Sequence, residues 1–147
     1  MKNFEYFLNQ KIVRKQIPDK SRAEFLIKEA EQNYLYLLEL IKKIKISEKN
    51  ANNFVKVCYD IFMEMIRAKM LVKGYYASGI GAHEAEISYL KEIGFSEGDV
   101  QFADRIRFFR NGMLYYGTIL DKEYAEKVIA FTKRISLKLK RILNSDL

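Results

Sequence analysis

Residues 105–117 read Arg-Ile-Arg-Phe-Phe-Arg-Asn-Gly-Met-Leu-Tyr-Tyr-Gly and hold a dense group of side chains that could bind an anion. If the segment is helical, Arg107, Arg110 and Asn111 lie opposite an apolar stripe. The stripe consists of Phe102, Ile106, Phe109, Met113 and Tyr116. Guanidinium and carboxamide groups donate hydrogen bonds that suit phosphate or nucleic acid. The spacing therefore predicts a helix with a phosphate-binding face.

The order Arg110-Asn111, with an aromatic residue one turn later, resembles the motif of the HEPN superfamily (higher eukaryotes and prokaryotes nucleotide-binding). In that motif an Arg and a polar residue precede a His. The resemblance implies a small helical bundle, usually a homodimer in which two copies of the motif line a shared groove. It also implies a metal-independent ribonuclease, often a toxin of a toxin–antitoxin pair whose other member is a minimal nucleotidyltransferase.

Tyr115 stands where the motif has its His. Histidine exchanges a proton near about pH 6.5, whereas tyrosine ordinarily titrates near about pH 10 and is a poor general base at neutral pH. The resemblance places Arg110, Asn111 and Tyr115 at catalytic positions. Arg107, Arg110 and Asn111 are expected to contact nucleic acid or phosphate, and the ring of Tyr116 could stack on a base. We predict an RNA- or nucleotide-binding protein whose cleavage activity is left open. The alternative is a non-catalytic helical partner of a nucleotidyltransferase.

His83 is the only histidine and lies beside Glu84 and Glu86. It is interpreted either as a polar or capping residue, or as a substitute proton-transfer group that reaches Arg110 from another helix. A metal site is disfavoured because one histidine without cysteine partners offers too few strong ligands. The sequence therefore predicts no metal and no other cofactor.

Other interpretations of the motif helix also stay open. Arg110 could pair with a carboxylate such as Asp104 or Glu64 instead of an anion. Leu114 lies among the polar groups, where an apolar side chain favours a homodimer seam or a covered cleft. Gly112 lies mid-helix, where glycine costs about 1 kcal/mol relative to alanine. Close approach of a second backbone or a ligand would explain that glycine.

Composition limits the class of protein. The 147 residues carry 26 basic and 19 acidic side chains, a net charge of +7 that favours anionic partners such as RNA. The basic residues between Lys127 and Arg141 form either a solvated helix face or a track for phosphates. The start of the chain has no secretory leader and no run is long enough to cross a bilayer, which predicts a cytoplasmic protein without a membrane partner. Cys58, the lone cysteine, is interpreted as a core residue.

Apolar spacing predicts helices throughout and no strand. The fold expected for residues 1–147 is a single all-α domain, an up-and-down bundle of about five to six helices. The first helix is predicted from Phe4 to about Ile17. A short helix around residues 82–93 follows a flexible connection at residues 74–81, and the helix of the motif comes next and ends at Gly117. The expected caps and ends are Asp19 or Ser21, Ser47, Lys73-Gly74, Ser96 or Asp99, Gly117 and Asp121.

Overall fold

The computed structural model describes residues 1–146 and contains six α-helices and one small antiparallel sheet. Leu147, the last residue of the predicted domain, lies outside the described residues. The prediction of an all-α bundle of five to six helices is confirmed. The elements are α1 (Phe4–Asn9), β1 (Val13–Lys15), α2 (Lys20–Lys43), α3 (Ala51–Val72), β2 (Tyr75–Ala77), α4 (Ala82–Glu92), α5 (Glu97–Tyr115) and α6 (Lys122–Asn144).

Helix α3 lies at the centre of the bundle, with α2 and α6 packed along it and α4 and α5 against its remaining sides. Apolar residues occur around most of its circumference, and they are buried against the four neighbouring helices. The predicted core position of Cys58 is confirmed, and burial raises the pKa of its thiol to about 12. One strip of α3 stays polar and less buried; we call it the α3 strip, and it consists of Asn53, Asp60, Glu64 and Arg67.

Three predicted helix caps are confirmed by hydrogen bonds from backbone amides. Asp19 Oδ1 accepts from the amide of Arg22 at 3.0 Å, and Ser96 and Asp121 make the same contact three residues onward. The prediction that Ser47 begins α3 is wrong. Its own amide donates to Asn50 Oδ1 at 2.8 Å, which holds residues 47–50 in a turn, so that α3 begins at Ala51.

The prediction of one helix from Phe4 to Ile17, and of no strand, is wrong. Helix α1 ends at Asn9, and Lys11 takes a left-handed backbone conformation with φ 61°. The chain then runs antiparallel to β2, with Val13 opposite Ala77. Val13 is buried in this arrangement. The backbone pairing and this burial hold the segment extended.

The connection after β2 positions the first turn of α4. Gly79 and Gly81 have φ values of 80° and 86°, a region that glycine adopts without steric cost. Gly81 is the residue that precedes α4, so His83 lies in the first turn of that helix. Among residues 1–146, no helix combines the length and the apolar character needed to cross a membrane.

Candidate functional site

Arg107 is already paired within the chain. Its Nε donates to Asp104 Oδ1 at 2.7 Å, and its Nη1 lies 3.8 Å from Glu84 Oε1. Only 15 % of the side chain is exposed. Two carboxylates therefore balance the charge of Arg107, and a ligand would have to compete with them. The pair with Glu84 also joins α5 to α4.

Arg110 is in a different state. Its Nε and Nη1 atoms are buried and have no hydrogen-bond partner within the part of the chain that the structure describes. The two carboxylates considered as partners are engaged elsewhere: Asp104 accepts from Arg107, and Glu64 accepts from Asn33 Nδ2 at 2.9 Å. A buried charged donor without a partner is costly. Arg110 therefore carries unused capacity to bind an acceptor.

The positive charge of Arg110 acts on Asp60 of the α3 strip. Loss of contact with solvent raises the pKa of Asp60, and the positive charges of Arg110 and Arg67 oppose that rise. Burial likewise raises the pKa of Glu64, against the hydrogen bond from Asn33. We call Arg110, Asp60 and Arg67 the Arg110 cluster. The helical wheel did not predict that Nε and Nη1 of Arg110 are buried.

The remaining motif residues lie at the end of α5. Asn111 is half-buried, whereas Tyr115 and Tyr116 are 75 % and 86 % exposed. Tyr116 was assigned to the apolar stripe, but α5 ends at Tyr115, and the chain leaves the helix before Tyr116 can pack. The two tyrosine rings therefore extend from the bundle, next in sequence to the helix that carries Arg110.

Gly112 is explained by the chain itself. A Cβ atom at this position would clash with Thr118 Oγ1 and would lie 3.1 Å from Thr118 Cβ. The chain turns back at Gly117, with φ 67°, and the amides of Tyr116 and Thr118 both donate to the carbonyl of Gly112. The close neighbour is thus the returning segment after α5.

Replacing Gly112 by alanine is expected to destabilise the protein by about 1 kcal/mol, because overpacking against Thr118 exceeds the gain in helix propensity. In a Thr118→Gly background the clash is removed, so the same replacement should become neutral or stabilising. Urea unfolding followed by circular dichroism measures both. Equal effects of Gly112→Ala in the two backgrounds would contradict this account.

His83 lies in a separate polar cluster. Its Nδ1 atom is 2.8 Å from Glu86 Oε1, and the other oxygen of Glu86 accepts from Arg67 Nε at 2.8 Å. Glu86 is buried, with 5 % of the residue exposed. Arg67 belongs to both clusters, whereas His83 contacts Arg67 and Glu86 and shows no contact with Arg110. The interpretation in which His83 reaches Arg110 thus has no direct contact to support it.

Sequence reasoning missed Arg67 and Arg22 as site residues and named Glu86 only as a neighbour of His83. Arg67 interrupts the apolar pattern of α3, which was a usable signal. Arg22 and Glu86 come together with it only through the packing of α2 and α4 around α3. These three residues and His83 line an open pocket of about 260 Å³.

Within residues 1–146, no three side chains of the His, Cys, Asp and Glu types are grouped so that they could hold a metal ion. Comparisons with models of protein families, with curated protein sequences and with solved structures give no match. The chemistry of the two clusters is therefore inferred from their own geometry.

Proposed function

We propose that this chain is a HEPN-like protein that binds RNA or a nucleotide through a phosphate held by Arg110. The observation that carries the proposal is that the buried Nε and Nη1 donors of Arg110 have no hydrogen-bond partner among residues 1–146. A phosphate oxygen satisfies such donors with charge-assisted hydrogen bonds, which are stronger than neutral ones. Asn111, the next residue on α5, adds an amide for the same ligand.

Two further features support an RNA or nucleotide ligand. The net charge of +7 attracts polyanions over distance. Tyr115 and Tyr116 expose their rings at the end of α5, and exposed aromatic rings stack on unpaired bases. Arg107, which is paired with Asp104 and Glu84, joins α5 to α4 and so helps to position the helix that carries Arg110.

Cleavage of RNA would need more than these groups. In-line attack by a 2′-hydroxyl requires a proton acceptor, and Tyr115 is poorly suited to that step. Arg110 could stabilise the charge that develops on the phosphate. We therefore propose binding as the function of the Arg110 cluster and make cleavage an outcome of the test.

A second candidate function is that of a helical partner subunit. Exposed apolar side chains near the end of α5 favour a protein contact there: Phe108 is 65 %, Leu114 60 % and Ile119 77 % exposed. The same surface suits the seam of a homodimer, which we propose as the assembly, or contact with a nucleotidyltransferase. These apolar residues flank the motif, so a partner bound there would cover it.

Replacing Arg110 by glutamine is expected to weaken binding of fluorescently labelled single-stranded RNA by about tenfold, since a hydrogen bond to a charged group is lost. The matched control is Arg105→Gln. Arg105 is exposed on the same helix, and its replacement removes the same charge. Fluorescence anisotropy at fixed salt measures both affinities, and Arg105→Gln should change the affinity little.

An equal loss of RNA affinity in both variants would show that only the net charge matters. It would contradict a role for the Arg110 cluster. Products that end in cyclic phosphate, formed without metal and lost on Arg110→Gln, would add ribonuclease activity to the proposal. Absence of binding to RNA and to nucleotides would leave the partner-subunit function.

A further inference from the structure

The pocket beside His83 has the groups of an anion site that does not depend on Arg110. Arg22 of α2, Arg67 of α3, Tyr76 of β2, and His83 and Glu86 of α4 lie around its volume of about 260 Å³. Two guanidinium groups face one carboxylate, so the lining is positive even when His83 is neutral. Glu84 is the acidic residue next to His83 in the sequence, and its Oε1 atom lies 3.8 Å from Nη1 of Arg107. The pocket therefore favours an anion.

Arg67 and Arg22 are held in place by different contacts. Nε of Arg67 donates to Glu86, which fixes the guanidinium against α4. The guanidinium carbon of Arg22 lies 5.8 Å from the centre of the Tyr76 ring, a cation–π contact that holds it in the pocket lining. The two guanidinium groups are thus carried on separate helices that line one cavity. Two such groups suit a tetrahedral anion, which has several oxygens that accept hydrogen bonds.

The contact with Glu86 also determines the state of the His83 ring. At 2.8 Å from a carboxylate oxygen, Nδ1 must carry a hydrogen, because two lone pairs would repel at that distance. Nη2 of Arg67 lies 3.3 Å from the same nitrogen. Because both nitrogens then carry hydrogens, this contact is not a hydrogen bond. Nε2 is left as the acceptor in the neutral ring, and the side chain of His83 is 54 % exposed. The contact with Glu86 therefore leaves Nε2 as the ring nitrogen that can meet a ligand in the pocket.

We propose that this pocket binds a phosphate monoester attached to a small aromatic group, such as a mononucleotide. The phosphate accepts hydrogen bonds from Arg22 and Arg67, and His83, whose Nδ1 is held by Glu86, lies beside it in the same lining. The backbone amides in the first turn of α4 add favourable partial charge. The Tyr76 ring, 38 % exposed, supplies an apolar face for the aromatic group.

Adenosine monophosphate is the probe, and isothermal titration calorimetry is the measurement. Arg22→Gln is expected to weaken its binding by about tenfold. Lys28→Gln removes one positive charge from an exposed position on the same helix and does not line the pocket, so it should leave the affinity almost unchanged. Arg22 is itself exposed, and its replacement should not disturb the fold. Adenosine without phosphate should not bind measurably.

Two outcomes would overturn the proposal: no binding of adenosine monophosphate by the wild type, or an equal loss in Arg22→Gln and Lys28→Gln. Loss of this binding on Arg110→Gln instead would place the ligand at the Arg110 cluster and refute the separate pocket. A failure of Arg110→Gln to weaken RNA binding would leave this pocket unaffected. Short RNA with and without a 5′-phosphate distinguishes a free nucleotide from an RNA end as the source of the same group.

Discussion

Replacing Phe62 by alanine is expected to lower the free energy of unfolding by about 3–5 kcal/mol, the usual cost of truncating a large core aromatic residue. Phe62 is completely buried in α3. Its ring meets Tyr59 edge-on at 5.5 Å and Phe131 of α6 at 6.0 Å between ring centres. Truncation would remove both aromatic contacts and leave a cavity between the two helices, which cannot close without moving α6.

Urea unfolding at constant temperature, followed by circular dichroism, measures this difference. Phe108→Ala is the matched control, because the same side chain is 65 % exposed on α5 and its loss should change the stability by no more than about 0.5 kcal/mol. Similar losses in the two variants would show that Phe62 does not lie in the packed centre described above.

Replacing Arg67 by methionine is expected to destabilise the protein by about 2 kcal/mol. Glu86 is buried, and among residues 1–146 the removal of Arg67 leaves His83 as its one side-chain partner. Breaking a fully buried ion pair costs about 3–5 kcal/mol. The smaller figure applies because a third of the Arg67 side chain is exposed and solvent screens part of the interaction. The same unfolding experiment measures the loss.

Adding Glu86→Gln to the Arg67→Met variant should recover part of that loss, since a neutral amide in this place carries no unpaired charge. Arg134→Met serves as control. Arg134 pairs with Asp99 through both terminal nitrogens but is 59 % exposed, and its removal should cost about 1 kcal/mol or less. No recovery in the double variant, or equal costs at Arg67 and Arg134, would contradict the account of Glu86.

The helices of the bundle could be predicted because their signals are local. Apolar residues at helical spacing mark α2, α3 and α6, and the caps Asp19, Ser96 and Asp121 act within three residues of themselves. The segment after Asn9 could not be predicted in this way. Its structure depends on pairing with residues 75–77, about sixty positions away, and no local pattern encodes that register.

In the candidate sites, too, local features could be predicted from the sequence and long-range contacts could not. The spacing of residues 105–117 singles out Arg107 and Arg110. It does not predict that Arg107 is paired with carboxylates while buried donors of Arg110 have no partner among the described residues. That difference arises because Asp104 and Glu84 both lie near Arg107, and Glu84 comes from another helix. Arg22 and Arg67 are separated by α2 and the first part of α3, and only tertiary packing makes them walls of one pocket.

Helix α3 holds the backbone of Asp60, Glu64 and Arg67 in place. Since the rest of that helix is enclosed by its neighbours, these backbone positions are fixed before any ligand arrives. A ligand that used Arg67 would spend little of its interaction energy on ordering the receptor. Discrimination between ligands at this surface would then follow from shape and charge already in place, rather than from rearrangement on contact.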